Sequence, residues 1–359
     1  MIYILFLSFI FILLYKVYFF TPFIQYKDPF KDEIPMNFSV YLIISVKNES
    51  ERLNNVLRST NSSQFLESGS KVIVVDDYSE PDEFRAMEEI CAAFENVQFI
   101  PSKAAKGKKH AVRYAIEMNP HPYYAFTDAD CTLGENWFHA IAHAFSQGDF
   151  VLGYAPFAVK NTILNELQRY ESMWIACQYF GYTLRKIPYM AVGRNMGASA
   201  QSLTKAIPTM KADHLLSGDD DMLVQALQKD TNIAIMINPQ SFAESEAEET
   251  YEKYLSQKSR QISTSVHYKF IHQVLLGGMA VSLIAFYLIT FLFVFKYAFI
   301  SIFAVFIMAI FNVFIFWVPT QKLQEIDLKW KVIYLEGFYV INLVILALYS
   351  LVSKKKKWK

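Results

Sequence analysis

The chain has few cysteines for its length: three in 359 residues, at positions 91, 131 and 177. An odd number of widely spaced cysteines fits neither a disulfide framework nor the paired spacing of a zinc site. We therefore predict reduced cysteines, as in proteins whose folded domain faces the cytosol. The cysteine pattern excludes a small scaffold held together by disulfides and a zinc protein with cysteine ligands.

The chain also lacks net charge, because 34 basic residues balance 34 acidic ones. No overall positive field argues for nucleic acid, although basic residues cluster at 103–109 and in a tail at 354–359. The sequence contains neither a Walker loop nor a nucleophile elbow. His139 and His143 lie four positions apart, but the first is not followed by the acid that a metalloprotease helix requires.

Hydrophobic residues are abundant, at 53% of the chain, and they concentrate at its two ends. The first 20 residues are almost entirely apolar, which suffices to cross the hydrocarbon core of a bilayer. They lack the basic start and the small-residue cleavage site of a signal peptide, so we predict an uncleaved anchor over residues 1–22. We predict C-terminal transmembrane helices over residues 273–353, from apolar stretches at 273–295, 297–318 and 332–352.

The order of these stretches leaves the membrane topology open. The first two C-terminal stretches are typical of a helical hairpin, and Pro319 is predicted to end the second helix. If the middle domain is cytosolic, three later crossings place the basic tail outside, whereas the positive-inside rule favours the inside. Either one stretch lies in the interface or re-enters the membrane, or the tail anchors the last helix at the headgroups. Residues 249–272 are predicted to form an interfacial helix.

Residues 36–248 alternate between short apolar runs and longer mixed segments. The apolar runs predict strands at Phe38–Val46, Lys71–Val75, Val97–Ile100, Tyr123–Thr127, Phe150–Tyr154 and Ile233–Ile237. Helical spacing is found at Glu51–Ser59, Pro81–Phe94, Lys108–Glu117 and 160–185. This alternation predicts an α/β domain with a mostly parallel sheet that is covered on both faces. In such sheets ligands bind beyond the carboxyl ends of the strands.

Acidic residues follow several of the predicted strands at that edge. Asp76 and Asp77 follow an apolar run, where a carboxylate can hold a ribose hydroxyl or a base, or can cap the next helix. Asp128 and Asp130 close another strand and offer the oxygen ligands that Mg²⁺ or Mn²⁺ shares with substrate phosphates. A solvated turn is the alternative for this second pair. Glu49, just after the first strand, sits where a nucleotide base would lie.

Two further polar groups stand at predicted helix starts. Lys106 and Lys108 flank a glycine, which suits a diphosphate at a helix N-terminus but equally suits a solvated basic turn. Asp219, Asp220 and Asp221 open another helix, where acids are favourable as caps. One of them could instead act as general base toward an acceptor hydroxyl.

Gln257 and Arg260 lie one helical turn apart in the predicted interfacial helix, and arginine suits bidentate contact to a diphosphate. With the acid motifs, they make the chain resemble membrane-bound family 2 glycosyltransferases with a GT-A fold, over about residues 38–265. That fold is a Rossmann-like nucleotide-sugar-binding domain, and the apolar ends of the chain fit it too. In these enzymes the first acid pair contacts the nucleotide, and the D-x-D binds the donor and its metal.

The resemblance also assigns residues to the acceptor side. The third acid motif implies Asp220 as the base, with Asp219 and Asp221 beside it. The last family motif reads Gln-x-x-Arg-Trp, but here Gln261 replaces the tryptophan that helps processive members to bind a growing acceptor. This departure argues against a polymer synthase and leaves transfer of a single sugar open. Arg194 matches a segment that lies near the acceptor in bacterial members.

The resemblance implies an inverting, metal-dependent transfer from a nucleotide diphosphate donor, taken to be a UDP-sugar. The acceptor would be a lipid, a lipid-linked glycan or a polysaccharide of the cell envelope, at the cytosolic face of the inner membrane. One alternative is a polyprenyl-phosphate sugar synthase, whose phosphate acceptor needs little deprotonation. Another is an inactive transferase-like membrane scaffold, against which the intact acid motifs argue.

Overall fold

The structure is a computed structural model that describes residues 1–30, 38–60, 65, 67–210, 218–227 and 229–352, without the side chains of the last two. The basic tail predicted at 354–359 lies outside the described residues. The strands are β1 (Tyr41–Val46), β2 (Lys71–Asp76), β3 (Val97–Pro101), β4 (Tyr123–Asp128), β5 (Cys131–Leu133), β6 (Phe150–Gly153), β7 (Met196–Ser199), β8 (Ile233–Met236) and β9 (Ala243–Ser245).

The described α-helices fall into two groups: those that surround the sheet and those formed by the apolar ends of the chain. They are α1 (Ile2–Gln25), α2 (Ser50–Thr60), α3 (Pro81–Ala92), α4 (Lys108–Met118), α5 (Trp137–Gln147), α6 (Ile163–Leu184), α7 (Ala200–Ala206), α8 (Asp219–Ala226), α9 (Tyr251–Thr264), α10 (Phe270–Val294), α11 (Ala298–Lys322) and α12 (Val332–Val352). The helices predicted at Glu51–Ser59, Pro81–Phe94, Lys108–Glu117 and 160–185 thus form within a few residues of their predicted bounds.

The central sheet has the order β3-β2-β1-β4-β7-β6-β8. Strand β7 pairs antiparallel with both of its neighbours, and the other pairs are parallel. The predicted α/β class with a mostly parallel sheet is therefore confirmed. The register places Asp76 beside Val46, and Asp128 beside Ser45, so both aspartates reach the same carboxyl edge.

Strand β7 was not predicted, because its four residues are small or buried and show no alternation between apolar and polar side chains. It lies between β4 and β6. A Cβ atom on Gly197 would lie 2.7 Å from the ring of Phe145. Helix α5 can pack this closely on the strand only because the strand has no side chain there.

The two faces of the sheet are buried against different layers. Leu42 and Ile44 point toward α2, α3 and α5. Ile43, between them, points toward the core formed with α4, α6 and the apolar helices. This follows from the period of two in a strand. Because the second face also packs on apolar helices, the sheet edge with the aspartates stands next to the apolar part of the protein.

Among the described residues, four helices are long and apolar enough to cross a membrane, namely α1, α10, α11 and α12. They coincide with the four apolar stretches of the sequence. The prediction that Pro319 ends the third of these helices was wrong, because α11 continues to Lys322. Proline removes one backbone hydrogen bond but lies in the last turn here, so the remaining residues still complete the helix.

A buried polar cluster joins these four helices. Lys16 and Glu336, the charges that interrupt two of the apolar stretches, form a fully buried ion pair. Asn312 accepts a hydrogen bond from Lys16 at 2.6 Å and donates one to Glu336 at 2.8 Å. The hydroxyl of Tyr287 donates to the same carboxylate at 3.0 Å. Charges in apolar helices are stable when paired in this way, so the cluster fixes how the helices associate.

Candidate functional site

A cavity of about 1090 Å³ lies beyond the carboxyl ends of β1 and β4. Eleven of the residues predicted to form the site line it: Glu49, Asp77, Lys108, Asp128, Asp130, Arg194, Asp219, Asp220, Asp221, Gln257 and Arg260. Two do not. Asp76 is buried, and its carboxylate accepts a hydrogen bond from the backbone of Ser79 at 3.3 Å. The ammonium group of Lys106 lies 5.3 Å from the centre of the Tyr78 ring.

Asp77 holds the basic loop in place at one side of the cavity. Its carboxylate accepts a hydrogen bond of 2.7 Å from the backbone N–H of Gly107. That glycine directly precedes α4, so the contact fixes the start of the helix over the sheet edge. The N-terminus of α4 and the side chain of Lys108 consequently face the cavity, which is a favourable arrangement for an anion.

Lys108 and Asp128 form an ion pair at the carboxyl end of β4. Burial by itself would raise the pKa of Asp128, but the adjacent ammonium group of Lys108 holds that pKa below its ordinary value. Burial would also lower the pKa of Lys108, but Asp128, Asp220 and Asp130 together raise it. Both groups therefore stay charged near neutral pH.

The carboxylates of Glu49, Asp128 and Asp130 meet at the same edge. Burial raises the pKa of Glu49, Arg52 opposes this shift, and Asp130 and Asp128 add to it. In the described part of the chain no three histidine, cysteine or acidic residues are placed to hold a metal ion by themselves. Oxygen donors of this kind suit Mg²⁺ or Mn²⁺ when phosphate oxygens complete the coordination. The residues present thus fit a divalent cation that binds together with a diphosphate.

Asp220 enters the cavity from the first turn of α8. One carboxylate oxygen accepts a hydrogen bond of 2.9 Å from the backbone of Gly193, and the other accepts one of 3.1 Å from the backbone of Asp221. Burial raises the pKa of Asp220, although Gly193, Lys108 and the backbone of Asp221 act in the opposite direction. The result is a fixed carboxylate of increased basicity, which is what a general base requires.

The next residue, Asp221, has different surroundings. It accepts a hydrogen bond from the hydroxyl of Tyr268, just before α10. Burial, and then the charge of Asp220, raise the pKa of Asp221 well above its ordinary value. The N–H of Lys269 donates to Gln225, also on α8, at 2.8 Å. Helix α8 is therefore tied to the start of an apolar helix as well as to Gly193, in the segment before β7.

Replacing Gly218 by alanine is expected to destabilise the protein through the start of α8. Gly218 has a φ of +82°, and a Cβ atom there would lie 2.4 Å from Cγ2 of the buried Thr264. The left-handed conformation costs a residue with a Cβ atom about 1–2 kcal/mol. The overlap with Thr264 adds about 1–3 kcal/mol. Denaturant unfolding in detergent would measure the loss of free energy of unfolding.

The matched control is Gly69→Ala. Gly69 has a φ of +74°, but no heavy atom lies within 4 Å of its added Cβ atom. This variant should lose only the backbone part of the free energy. Equal losses in the two variants would show that Gly218 does not require the close approach to Thr264.

Helix α9 forms another wall of the cavity. The side-chain amide of Gln257 donates to Glu248 at 3.3 Å. Burial lowers the pKa of Arg260, and the charge of Glu248 partly compensates. Both residues face the same space as Asp220, as their helical spacing predicted. A guanidinium group in that position can stabilise negative charge in the cavity.

Arg194 is held by the protein itself. Its guanidinium group donates to the hydroxyl of Ser245 at 2.8 Å and to the carbonyl of Ala155 at 2.7 Å. It also lies 4.5 Å from the centre of the Phe157 ring. Its backbone carbonyl accepts a hydrogen bond from Thr127, next to Asp128. Arg194 therefore braces the D-x-D edge as well as lining the cavity.

The far end of the cavity is apolar and was not predicted. It is lined by residues of α6, α10 and α12, among them Trp174, Leu276, Met279, Leu283, Tyr339 and Leu343. In the sequence, Trp174 lies on the apolar side of a mixed helix and the others belong to long apolar runs, in which nothing distinguishes a cavity wall from a lipid-facing side. The same cavity thus joins the carboxylates of the sheet edge to helices that are long enough to span a membrane.

Three comparisons place this architecture among known proteins. The family model described as Glycosyl transferase family 2 matches residues 41–194. Glycosyltransferase AglE from Haloferax volcanii is 28% identical over 98 residues, which cover 27% of this chain and 32% of AglE. The chain thus spans about a third of the length of that relative.

The fold is shared over almost the full chain with a solved structure. This is the mannosyltransferase PcManGT from Pyrobaculum calidifontis, solved in complex with GDP-Man and Mn²⁺. The TM-score is 0.59 at 12% identity, covering 99% of this chain and 98% of the other. The predicted GT-A-type fold with apolar helices at both ends is confirmed.

Proposed function

We propose that this chain, whose residues 41–194 match the family model of glycosyl transferase family 2, moves a sugar from a nucleotide diphosphate to a lipid-borne acceptor at a membrane surface. One observation supports this proposal above the others. A single cavity has carboxylates and cations at the sheet edge and apolar side chains of α10 and α12 at its other end. A charged donor and a hydrocarbon chain can therefore meet in it.

The donor would bind at the sheet edge. Glu49 and Asp77 lie where the nucleoside would sit, and Asp76, behind them, holds the following turn through Ser79. Lys108 and the N-terminus of α4 would face the diphosphate, with Lys106 at the rim. The neighbour PcManGT was solved with GDP-Man, and we take the donor here to be a UDP-sugar, with a GDP-sugar as the other candidate.

A divalent cation, Mg²⁺ or Mn²⁺, would be held by Asp130 with Asp128 nearby and with oxygens of the diphosphate. When bound, it supplies positive charge that offsets the charge developing on the leaving group. The proposal is supported by the oxygen donors at this edge and by the Mn²⁺ in PcManGT. Arg260 and Gln257, on the opposite wall, would brace the diphosphate and the acceptor.

Asp220 would act as the general base, with Asp219 beside it at the helix start. The acceptor hydroxyl loses its proton to the Asp220 carboxylate as its oxygen bonds to the anomeric carbon. The bond from that carbon to the diphosphate oxygen breaks at the same time, and the electron pair leaves with the nucleoside diphosphate. Attack from the opposite side inverts the anomeric configuration.

The acceptor is proposed to be a lipid or a lipid-linked glycan. Leu276, Met279 and Leu283 of α10 line the cavity on the same helix that is long enough to cross a bilayer. A hydrocarbon chain could enter there while its polar head reaches Asp220. We place this reaction at the cytosolic face of the cell's inner membrane, because the three cysteines are free and buried, as expected in a reducing compartment.

Donor turnover would test the proposal. The full chain in detergent should release the nucleoside diphosphate from one member of a panel of UDP- and GDP-sugars, and EDTA should abolish this release. Asp130→Ala should lower the rate roughly 100-fold or more, because charge stabilisation at the diphosphate is lost. Asp82→Ala, which removes an acid that is 95% exposed on α3, is the control and should keep the full rate.

Turnover that survives both EDTA and Asp130→Ala would contradict the metal-binding role of the D-x-D. Absence of turnover and of nucleotide binding across the panel would instead support the inactive scaffold. Transfer to a short polyprenyl phosphate, but not to a lipid with a hydroxyl head, would identify a polyprenyl-phosphate sugar synthase.

A further inference from the structure

Helix α12 is long enough to cross a bilayer, but its contacts with α6 and α9 do not fit a helix that crosses. Its 21 residues extend about 31 Å at about 1.5 Å per residue. A crossing helix of this length has its two ends on opposite sides of the hydrocarbon core. In this protein both halves of α12 contact polar helices of the same domain.

The first turn of α12 and the residues before it are attached to α6. The ammonium group of Lys331 lies 2.8 Å from the carboxylate of Glu166. The hydroxyl of Tyr334 donates to the same carboxylate at 3.0 Å. Beside them, Trp330 packs edge-on against Trp317 near the end of α11. Exposed tryptophans next to lysines are typical of the headgroup layer, so α12 begins at that level.

The second half of α12 is attached to α9. The hydroxyl of Tyr251 donates to Asn342 at 2.8 Å, and Asn342 donates to the hydroxyl of Tyr254. Leu346, one turn further on, is buried with Tyr254 and Leu255. Asn342 and Leu346 lie 11 and 15 positions beyond Lys331, in the half of α12 that a crossing would carry away from the catalytic domain.

Helices α6 and α9 are both too polar to lie within hydrocarbon. Helix α9 exposes Glu252 and Lys253, and it carries Gln257 and Arg260 into the polar cavity. From Tyr334 to Leu346, α12 follows these polar helices for about 18 Å. A helix that descends through the bilayer would leave them after its first turns.

The outward face of α12 is apolar and exposed. Its exposed residues recur at helical spacing: Ile333, Tyr334, Phe338, Ile341, Val344 and Leu348. A face of this kind, opposite a face packed on protein, fits the acyl region just below the headgroups.

We propose that α12 lies in the plane of the membrane interface, with its outer face in lipid and its inner face on α6 and α9 and, through Glu336, on α1, α10 and α11. The bilayer is then crossed by α1, α10 and α11, and the chain leaves α12 on the side of the catalytic domain. The sequence after residue 352 is rich in lysine, and the positive-inside rule favours the cytosolic side for such a segment. Because Tyr339 and Leu343 line the cavity, α12 also separates the cavity from the lipid.

Cysteine labelling of the full chain in sealed vesicles tests this arrangement without any measurement of activity. The native cysteines are buried, so the unmodified chain gives the background. Three exposed positions are compared with a thiol reagent that does not cross membranes: Ser350→Cys after α12, Asp82→Cys in the catalytic domain and Lys296→Cys between α10 and α11. We expect Ser350→Cys to react from the same side as Asp82→Cys, and Lys296→Cys from the opposite side. Reaction of Ser350→Cys together with Lys296→Cys would overturn the proposal.

Depth measurements with spin labels provide a second readout. Labels at Ile333, Ile341 and Leu348 should show one shallow depth, because these exposed positions run along a helix in the interface. Labels at Phe299, Phe306 and Phe314 of α11 form the control series, with the middle position deepest. A depth maximum at Ile341 would show that α12 crosses the bilayer.

Discussion

Replacing Asp220 by asparagine is expected to lower the rate of sugar transfer by roughly 10²- to 10⁴-fold, the usual contribution of a positioned general base. Asparagine keeps the shape of the side chain and can still accept the hydrogen bond from Gly193, so the fold should be retained. It cannot take up the proton of an acceptor hydroxyl. Initial rates with saturating donor and acceptor, with thermal unfolding in parallel, would measure both effects.

The neighbouring residue provides the matched control. The carboxylate of Asp221 accepts a hydrogen bond from the hydroxyl of Tyr268, and an asparagine at this position can still accept it. Asp221→Asn should therefore cost far less activity than Asp220→Asn. If Asp220→Asn transferred sugar at nearly the normal rate, a hydroxyl acceptor would be ruled out and a phosphate acceptor favoured.

The rate of sugar transfer is also expected to depend on pH, and the direction of that dependence follows from the pKa of Asp220. Burial raises the pKa of Asp220 above the ordinary value of 3.8. A base is inactive when protonated, so kcat/KM should fall on acidification, and the fall should begin at a higher pH than an ordinary aspartate would give. The residual rate of Asp220→Asn should lack this fall.

Replacing Arg169 by glutamine is expected to lower the free energy of unfolding by about 3–5 kcal/mol, because it leaves a buried charge without its partner. Arg169 and Glu325 are 1% and 2% exposed, and the guanidinium Nε lies 2.8 Å from the carboxylate. The pair joins α6 to the segment between α11 and α12. Denaturant titration in detergent would measure the loss.

The loss should be larger at pH 8 than at pH 5. Burial raises the pKa of Glu325 to about 7, even though Arg169 and Tyr154 oppose the shift. At pH 5 the carboxyl group is protonated with or without Arg169, so the missing cation costs little. At pH 8 the unmodified protein gains the ion pair, whereas the variant cannot, because the pKa of Glu325 rises further once Arg169 no longer opposes the shift. Arg85→Gln is the control, since its pair with Asp82 is exposed and should contribute less than about 1 kcal/mol. A loss of that small size for Arg169→Gln would show that the pair does not hold α6 to the apolar helices.

Adjacent residues of one motif show where prediction from sequence ends. The sequence places Asp76 and Asp77 at the end of β2, but the structure buries Asp76 behind the turn and brings only Asp77 to the cavity. Asp220 and Asp221 both line the cavity, but the carboxylate of Asp220 accepts a hydrogen bond from the backbone of Gly193, whereas that of Asp221 accepts one from the hydroxyl of Tyr268. Neighbouring positions at an element end point in different directions, and the direction depends on the surrounding packing.

The sequence by itself determined the α/β alternation, the aspartates at the strand ends, the facing of Gln257 and Arg260, and the apolar segments. All of these follow from side-chain identity and from periods of two and 3.6 residues, which involve only near neighbours in the chain. Only the tertiary structure decided that Lys16 meets Glu336 and that α10 and α12 wall the cavity. It also decided that α12 packs along α6 and α9. The hydropathy of a segment shows whether it can lie in lipid. Its direction relative to the membrane depends on which distant side chains it packs against.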